Sequence, residues 1–383
     1  MQAMSDAPLT FEAHAPHALL RAQGGELVLN GWPLSRVAQR VGRTPFYAID
    51  RSALSQRVAQ LRAALPPALH LHYAVKANPM PAVVHHLAGR VDGLDIASGG
   101  ELQLALDAGM DPQHISFAGP GKRRDELQQA VASGVLLHVE SMGELQALAE
   151  VQRALQRPAR VALRLNPDFE LKGSGMRMGG GAKPFGIDMA QAPAALQAVG
   201  ELGLQFEGFH VYAGSQNLRA ESLCEAQHLS LQRVLQLAPL APSPVRHLNL
   251  GGGLGVPYFP QEQGLNLDDF KAPWQALVRQ AAAALPQARL CLELGRYLVA
   301  EAGVYVCRVL DRKVSGGTTF VVVDGGLHHH LAASGNFGQV IRKNYPVALG
   351  HHPGVGPSGG ADRPPGAAPA RRGAGERNRA HRP

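Results

Sequence analysis

From residue 45 onward the chain repeats one unit, a short apolar run followed by a stretch with apolar residues at helical spacing. Eight runs recur: "LHYAV", "GLDIA", "ISFAG", "LLHVE", "VALRL", "FEGFHVY", "HLNLGG" and "RLCLE". Between them lie segments such as "GELQLALDAG" and "SMGELQALAEVQRAL", whose periodicity is helical. Ser141 followed by Glu144 reads as a capping box, and the glycine of "DAG" as a helix stop. Eight strand–helix units over about 250 residues predict a (β/α)8 barrel, with a doubly wound sheet as the alternative. An earlier run, "PFYAID", leads into a helix from Arg51.

The flanks read differently. Residues 45–295 form the barrel domain, whereas 296–349 lose the helical period. There "LVAEAGVYVCRVLDRKV" and "TTFVVVDGG", joined by "SGG", predict a β-domain that breaks off early. Residues 1–44, with "GELVLN", are expected to add strands to it. Residues 350–383 are Gly/Pro/Arg-rich, with almost no large apolar side chains, and predict disorder.

Composition narrows the function. The net charge of +7 does not mark a nucleic-acid face, because six arginines against Asp362 and Glu376 concentrate it in residues 351–383. No run approaches the length of a membrane span, and Asp6 and Glu12 argue against a signal peptide. Three cysteines are too few for a disulfide framework, which suits a cytoplasmic protein.

Barrels of this kind gather chemistry at the C-terminal ends of their strands. Lys76 ends the first strand, Asp95 and Ser98 the second with Glu101 just beyond, and Arg164 the fifth. Tyr212 and Ser215 follow the sixth, Gly251, Gly252 and Gly253 the seventh, and Glu293 and Arg296 the eighth. A lysine at a strand end commonly snorkels to solvent. The alternative is an amine with a pKa lowered by desolvation, ready to form a Schiff base. The glycine run departs from the dinucleotide spacing, so it serves either packing or a phosphate that bare N–H groups approach. Arg296 offers a charged fork to the same anion. "GPGK" at 119–122 lacks the spacing and hydroxyl of a nucleotide loop. Cys291 reads as a small core residue, His210 as a strand residue before a base, and His328–His330 point different ways, so no metal site is predicted.

"YAVKANP", "DIASGGEL", "GSQ", "LNLGGGLG" and "ELGRYLVAEAG" together resemble the pyridoxal-phosphate-dependent ornithine/diaminopimelate decarboxylases, a family of alanine-racemase-like barrels. The likeness runs from about residue 40 to 349 in the family's order. "LKGSGMRMGGGAKPFGID" resembles the exosortase-associated subgroup. The resemblance implies decarboxylation of a small amino acid by a homodimer. Pyridoxal 5'-phosphate would be bound as a Schiff base on Lys76, with Glu293 at the pyridine nitrogen. Tyr212 would stack on the ring in place of the histidine many relatives have, and Arg164 would sit by the ring hydroxyl. Ser215, Gly252, Gly253 and Arg296 would bind the phosphate; Asp95 and Glu101 would tune the proton on Lys76. The family's pattern continues with a late cysteine, which completes the partner's site, and a late tyrosine. Here no cysteine follows Cys307 and no tyrosine follows Tyr345. The segment from 350 therefore reads as a frame change or a truncated product, which makes racemisation, or cofactor binding without turnover, the alternative readings.

Overall fold

The computed structural model describes residues 8–11, 14–326, 328–330 and 347–351. The tail from 352, where disorder was expected, lies outside the described residues. The chain divides into a unit of residues 49–303 and a second unit formed by the two flanks.

In the first unit eight parallel strands close on themselves: β1 (Leu69–Ala74), β2 (Gly93–Ile96), β3 (Ile115–Phe117), β4 (Leu136–Val139), β5 (Arg160–Asn166), β6 (Gln205–Val211), β7 (His247–Gly252) and β8 (Arg289–Leu294). β8 pairs with β1, and β4 pairs with β5, so the sheet has no break and the doubly wound alternative falls. A short strand, Ile187–Asp188, adds to β5 from outside the ring. Strands covered on both faces read as continuous apolar runs, which is why all eight were visible in the sequence. Leu69, Leu71 and Tyr73 of β1 are fully buried, as are Leu54, Leu61, Val84 and Leu87 of the helices Arg51–Ala64 and Pro81–Ala88. At 25 cal/mol per Å2 each such side chain contributes roughly 2 kcal/mol.

The barrel interior is unusually polar. His72, Asp95, Ser116, His138, His210, His247, Asn249 and Glu293 are all buried. His138 on β4 meets His247 on β7, Nε2 to Nε2 at 3.4 Å. Those strands are not neighbours, so the contact crosses the interior. Gly93 makes room for this layer: a Cβ there would lie 2.6 Å from the His72 ring.

In the second unit the strands Pro8–Phe11, His14–Gln23, Glu26–Leu29 and Trp32–Pro33 form their own antiparallel sheet. Leu20, Leu27, Leu29 and Leu34 make its core, with Val304, Val306 and Ala348 against it. The strand Phe46–Ile49 of "PFYAID" pairs with Gly303–Val306 and stays out of the barrel. Strands Val309–Ser315 and Thr318–Val323 form a hairpin turned by Gly316 and Gly317, both at positive φ as a two-residue turn requires. Val309, Leu310, Val314, Phe320, Val321 and Val322 of that hairpin are exposed.

Candidate active site

β1 stops at Ala74, and Val75–Ala77 form a single 3-10 turn. Lys76 therefore stands on the turn and not, as read from the sequence, at the end of the strand. The Tyr73 hydroxyl donates to the Asn78 carbonyl at 3.0 Å and ties the turn down. The Lys76 side chain is 56% exposed, and its Nζ reaches Glu293 Oε1 at 3.3 Å. Glu293 comes from the neighbouring β8, in register with His72. Its charge raises the Lys76 pKa, outweighing desolvation. The lowered pKa expected of a Schiff-base lysine is thus reversed here, because a buried carboxylate lies within reach of the amine. Burial would raise the Glu293 carboxyl, but Lys76, His210 and Arg164 hold it well below the usual range. Its second oxygen, Oε2, is buried with no hydrogen-bond partner among the described residues; His210 Nε2 lies 3.2 Å away but out of alignment.

Tyr212 follows β6, half-buried. Desolvation, then the charge of Glu293, pushes its hydroxyl up to about 12, while Lys76, Arg164 and Arg296 act the other way. These groups are therefore brought together at the barrel mouth. Arg296 opens the short helix after β8, and its guanidinium lies 6.0 Å from the Tyr258 ring centre.

Gly251 and Gly253 have positive φ. A Cβ on Gly252 would fall 2.1 Å from the Glu293 carbonyl oxygen, and one on Gly253 would fall 2.6 Å from that of Gly214. Close packing thus demands glycine here whether or not an anion is bound. The same packing sets the Gly214–Ser215 strand, paired with Met176–Arg177, beside the glycine loop. Asn217 joins the loops, donating to the Gly253 carbonyl at 3.0 Å and accepting from Gly255 at 2.9 Å.

Asp95 goes elsewhere. Its Oδ1 accepts from the Ser116 hydroxyl and faces His72 Nδ1 at 3.2 Å. It belongs to the interior layer, since β2 pairs with β3 at that level. Glu101 accepts from the Ala97 N–H at 2.8 Å and still feels the charge of Lys76. Ser98 caps the following helix through the Glu101 N–H.

Sequence reading passed over a second carboxylate. Glu140 ends the β4 run "LLHVE" and is buried. Its Oε1 accepts from Arg164 Nη1 and the Gly119 N–H, both at 2.6 Å, and its Oε2 from the Gly186 N–H at 3.0 Å. The Arg164 guanidinium also lies over Phe185, 5.2 Å from the ring centre. Lys122, the lysine of "GPGK", is 1% exposed and donates to Glu144 at 2.5 Å and to the carbonyls of Gly119 and His138, each at 2.8 Å. Glu144 in turn accepts from the Glu140 N–H at 2.9 Å. The rejected loop is thus a structural anchor beneath Arg164. Its signal was a charged residue ending a strand run, the same signal that marked the other sites. Glu140→Ala should destabilise the protein by about 3 kcal/mol, because it strands a buried guanidinium and two N–H groups. Urea unfolding checks this; a loss below about 1 kcal/mol would mean that the network is replaceable.

Burial lowers the pKa values of His138, His210 and His247, so folding keeps them neutral. Unfolded imidazoles take protons below about pH 6.5, so the unfolded state then binds more protons and stability falls. Each neutral ring costs up to about 1.4 kcal/mol per pH unit below that point. Urea midpoints should hold steady above about pH 7 and drop steeply towards pH 5.5. His328–His330 lie in the second unit, with the Tyr47 hydroxyl 2.8 Å from His330 Nδ1.

Residues 51–300 match the model for "Pyridoxal-dependent decarboxylase, pyridoxal binding domain". The chain is 39% identical to the L-glutamyl-[BtrI acyl-carrier protein] decarboxylase of Niallia circulans, over 79% of this chain and 72% of that one. It is 35% identical to the diaminopimelate decarboxylase of Aquifex aeolicus, over 82% and 74%. Among solved structures, the diaminopimelate decarboxylase of Helicobacter pylori complexed with L-lysine superposes with a TM-score of 0.69 at 29% identity, covering 78% of this chain and 75% of that one.

Proposed function

The chain belongs to the pyridoxal-dependent decarboxylases, and on that premise we propose that it removes the carboxyl group of an amino acid at the barrel mouth, with Lys76 and Glu293 as its central residues. One observation carries the assignment. A reachable amine lies 3.3 Å from a buried carboxylate whose other oxygen has no hydrogen-bond partner among the described residues. An amine suits the cofactor's aldehyde, and a buried, ionised carboxylate with lone pairs to spare suits a pyridinium N–H. When bound, pyridoxal phosphate supplies a ring that takes up the electron pair left as CO2 departs.

Glu293 would hold a proton at the ring nitrogen by remaining ionised itself. The same carboxylate keeps Lys76 an ammonium while it faces the amine alone. Once it is engaged elsewhere, Nζ gives up its proton more readily. Tyr212 offers a flat face with its hydroxyl protonated. Arg164, held by Glu140, would present positive charge to the ring hydroxyl. Ser215, Gly252, Gly253 and Arg296 would hold the phosphate. Asp95 supports the floor of the site through His72 and Ser116.

The substrate carries an α-amino acid group, either free, as diaminopimelate, lysine, ornithine or arginine, or as a glutamyl group on a carrier. The resemblance of the stretch 171–188 to the exosortase-associated subgroup supports reading the chain as one of its members. The chain acts in the cytoplasm as a homodimer; the exposed apolar hairpin at 309–323 supports self-association. No helix of the described residues is long and apolar enough to cross a membrane.

Borohydride reduction of the pyridoxal-phosphate-loaded protein, followed by peptide mapping, should place the adduct on Lys76. Carboxyl-labelled candidates should then release labelled CO2. An adduct on another lysine alone, or racemisation without CO2, overturns the proposal.

A further inference from the structure

Glu293 is met from below by a side chain that the decarboxylation chemistry above leaves unused. His210 sits on β6, 1% exposed, its Nε2 3.2 Å from Glu293 Oε2. A carboxylate only accepts, so two heavy atoms this close call for a proton on Nε2. We propose that His210 is a positioning residue: it donates Nε2–H to Glu293 Oε2, fixes the carboxylate's orientation and keeps it ionised. The misalignment seen here is the loose geometry that catalytic hydrogen bonds often show before a ligand tightens them.

The surroundings favour a neutral donor over an imidazolium. Glu293 approaches from β8, Arg164 from β5, Asp95 from β2, His138 from β4 and His247 from β7. The His138 ring lies 4.3 Å from the His210 ring, and the Nε2 atoms of His138 and His247 face each other at 3.4 Å. Three neutral rings packed together supply dipoles without a competing positive charge. Glu293 then has its counter-charges, Lys76 and Arg164, at the mouth, where the reaction takes place.

The inference rests on the role proposed for Glu293, but its test does not need the cofactor. In unloaded protein labelled with 13Cδ-glutamate, Glu293 is assigned by its absence in Glu293→Gln. Its titration midpoint should rise by about one pH unit or more in His210→Phe and stay near wild type in His210→Gln, which keeps an N–H donor. With the cofactor bound, His210→Phe should move the acid limb of kcat/KM up by a similar amount and lower kcat roughly tenfold, with KM within about twofold. Circular dichroism identifies variants that fail to fold. A folded His210→Phe with an unmoved Glu293 midpoint, or His210→Gln as impaired as His210→Phe, overturns the proposal. If His210→Phe does not fold, 15N-imidazole spectra of wild type decide: a protonated Nε2 is expected, and a bare Nε2 overturns it. Failure of Lys76 to take the cofactor would defeat the decarboxylase reading and leave the unloaded titration intact.

Discussion

Lys76→Ala is expected to abolish turnover, lowering kcat by about four orders of magnitude or more. The turn at 75–77 should survive, because it is held by the Tyr73 hydroxyl on the Asn78 carbonyl and not by the lysine side chain. The loss is therefore chemical rather than structural. Glu293 also loses the nearby ammonium that helps to hold its pKa down. The variant should fold, give no reducible adduct and retain at most loosely held cofactor. Labelled-CO2 release measured beside circular dichroism checks both halves. A folded variant with activity within tenfold of wild type would place the amine chemistry on another residue.

Glu293→Gln should keep most of the cofactor and lose roughly 100- to 1,000-fold in kcat. The amide has nearly the same shape, so the interior packing stands. What disappears is the ionised acceptor proposed to hold a proton on the ring nitrogen. The Lys76 pKa should fall as well, because the charge that raises it is gone. The ratio of cofactor absorbance to protein, together with rates of CO2 release, separates binding from chemistry. Full cofactor loss would make Glu293 a binding group first; unchanged kcat would remove it from the chemistry.

The barrel was legible because its strands are buried on both faces, which writes eight apolar runs into the sequence. Lys76 was legible as a site but not in place. Nothing local shows that pairing with β2 ends at Ala74 and pairing with β8 at Tyr73. Glu140 carried the same signal as the other strand-end charges and was passed over with the β4 run. Lys122 was set aside because its loop failed a nucleotide motif, although a buried ammonium needs only three acceptors. The imidazole layer was hidden for a different reason. In a strand covered on both sides, sequence alone does not say which face lines the interior, and the contacts that define the layer run between distant strands. The pairing of Met176–Arg177 with Gly214–Ser215 depends likewise on residues almost 40 positions apart. The lowered lysine pKa was expected from burial alone; the carboxylate that reverses it comes from the opposite end of the barrel sequence.

Gly252 has no room for a Cβ because the carbonyl of Glu293 occupies that space. The loop proposed to cradle the anion and the strand bearing the carboxylate are thus fitted together without slack. A mutational scan would find the two inseparable. Any side chain at 252 pushes on β8, so a change designed to weaken phosphate affinity would also turn Glu293 away from its target and register as a defect in ring chemistry. For anyone redesigning this scaffold, cofactor grip and electronic control cannot be adjusted one at a time from position 252; Arg296, exposed and attached on the far side of Gly295, is where affinity can be altered alone.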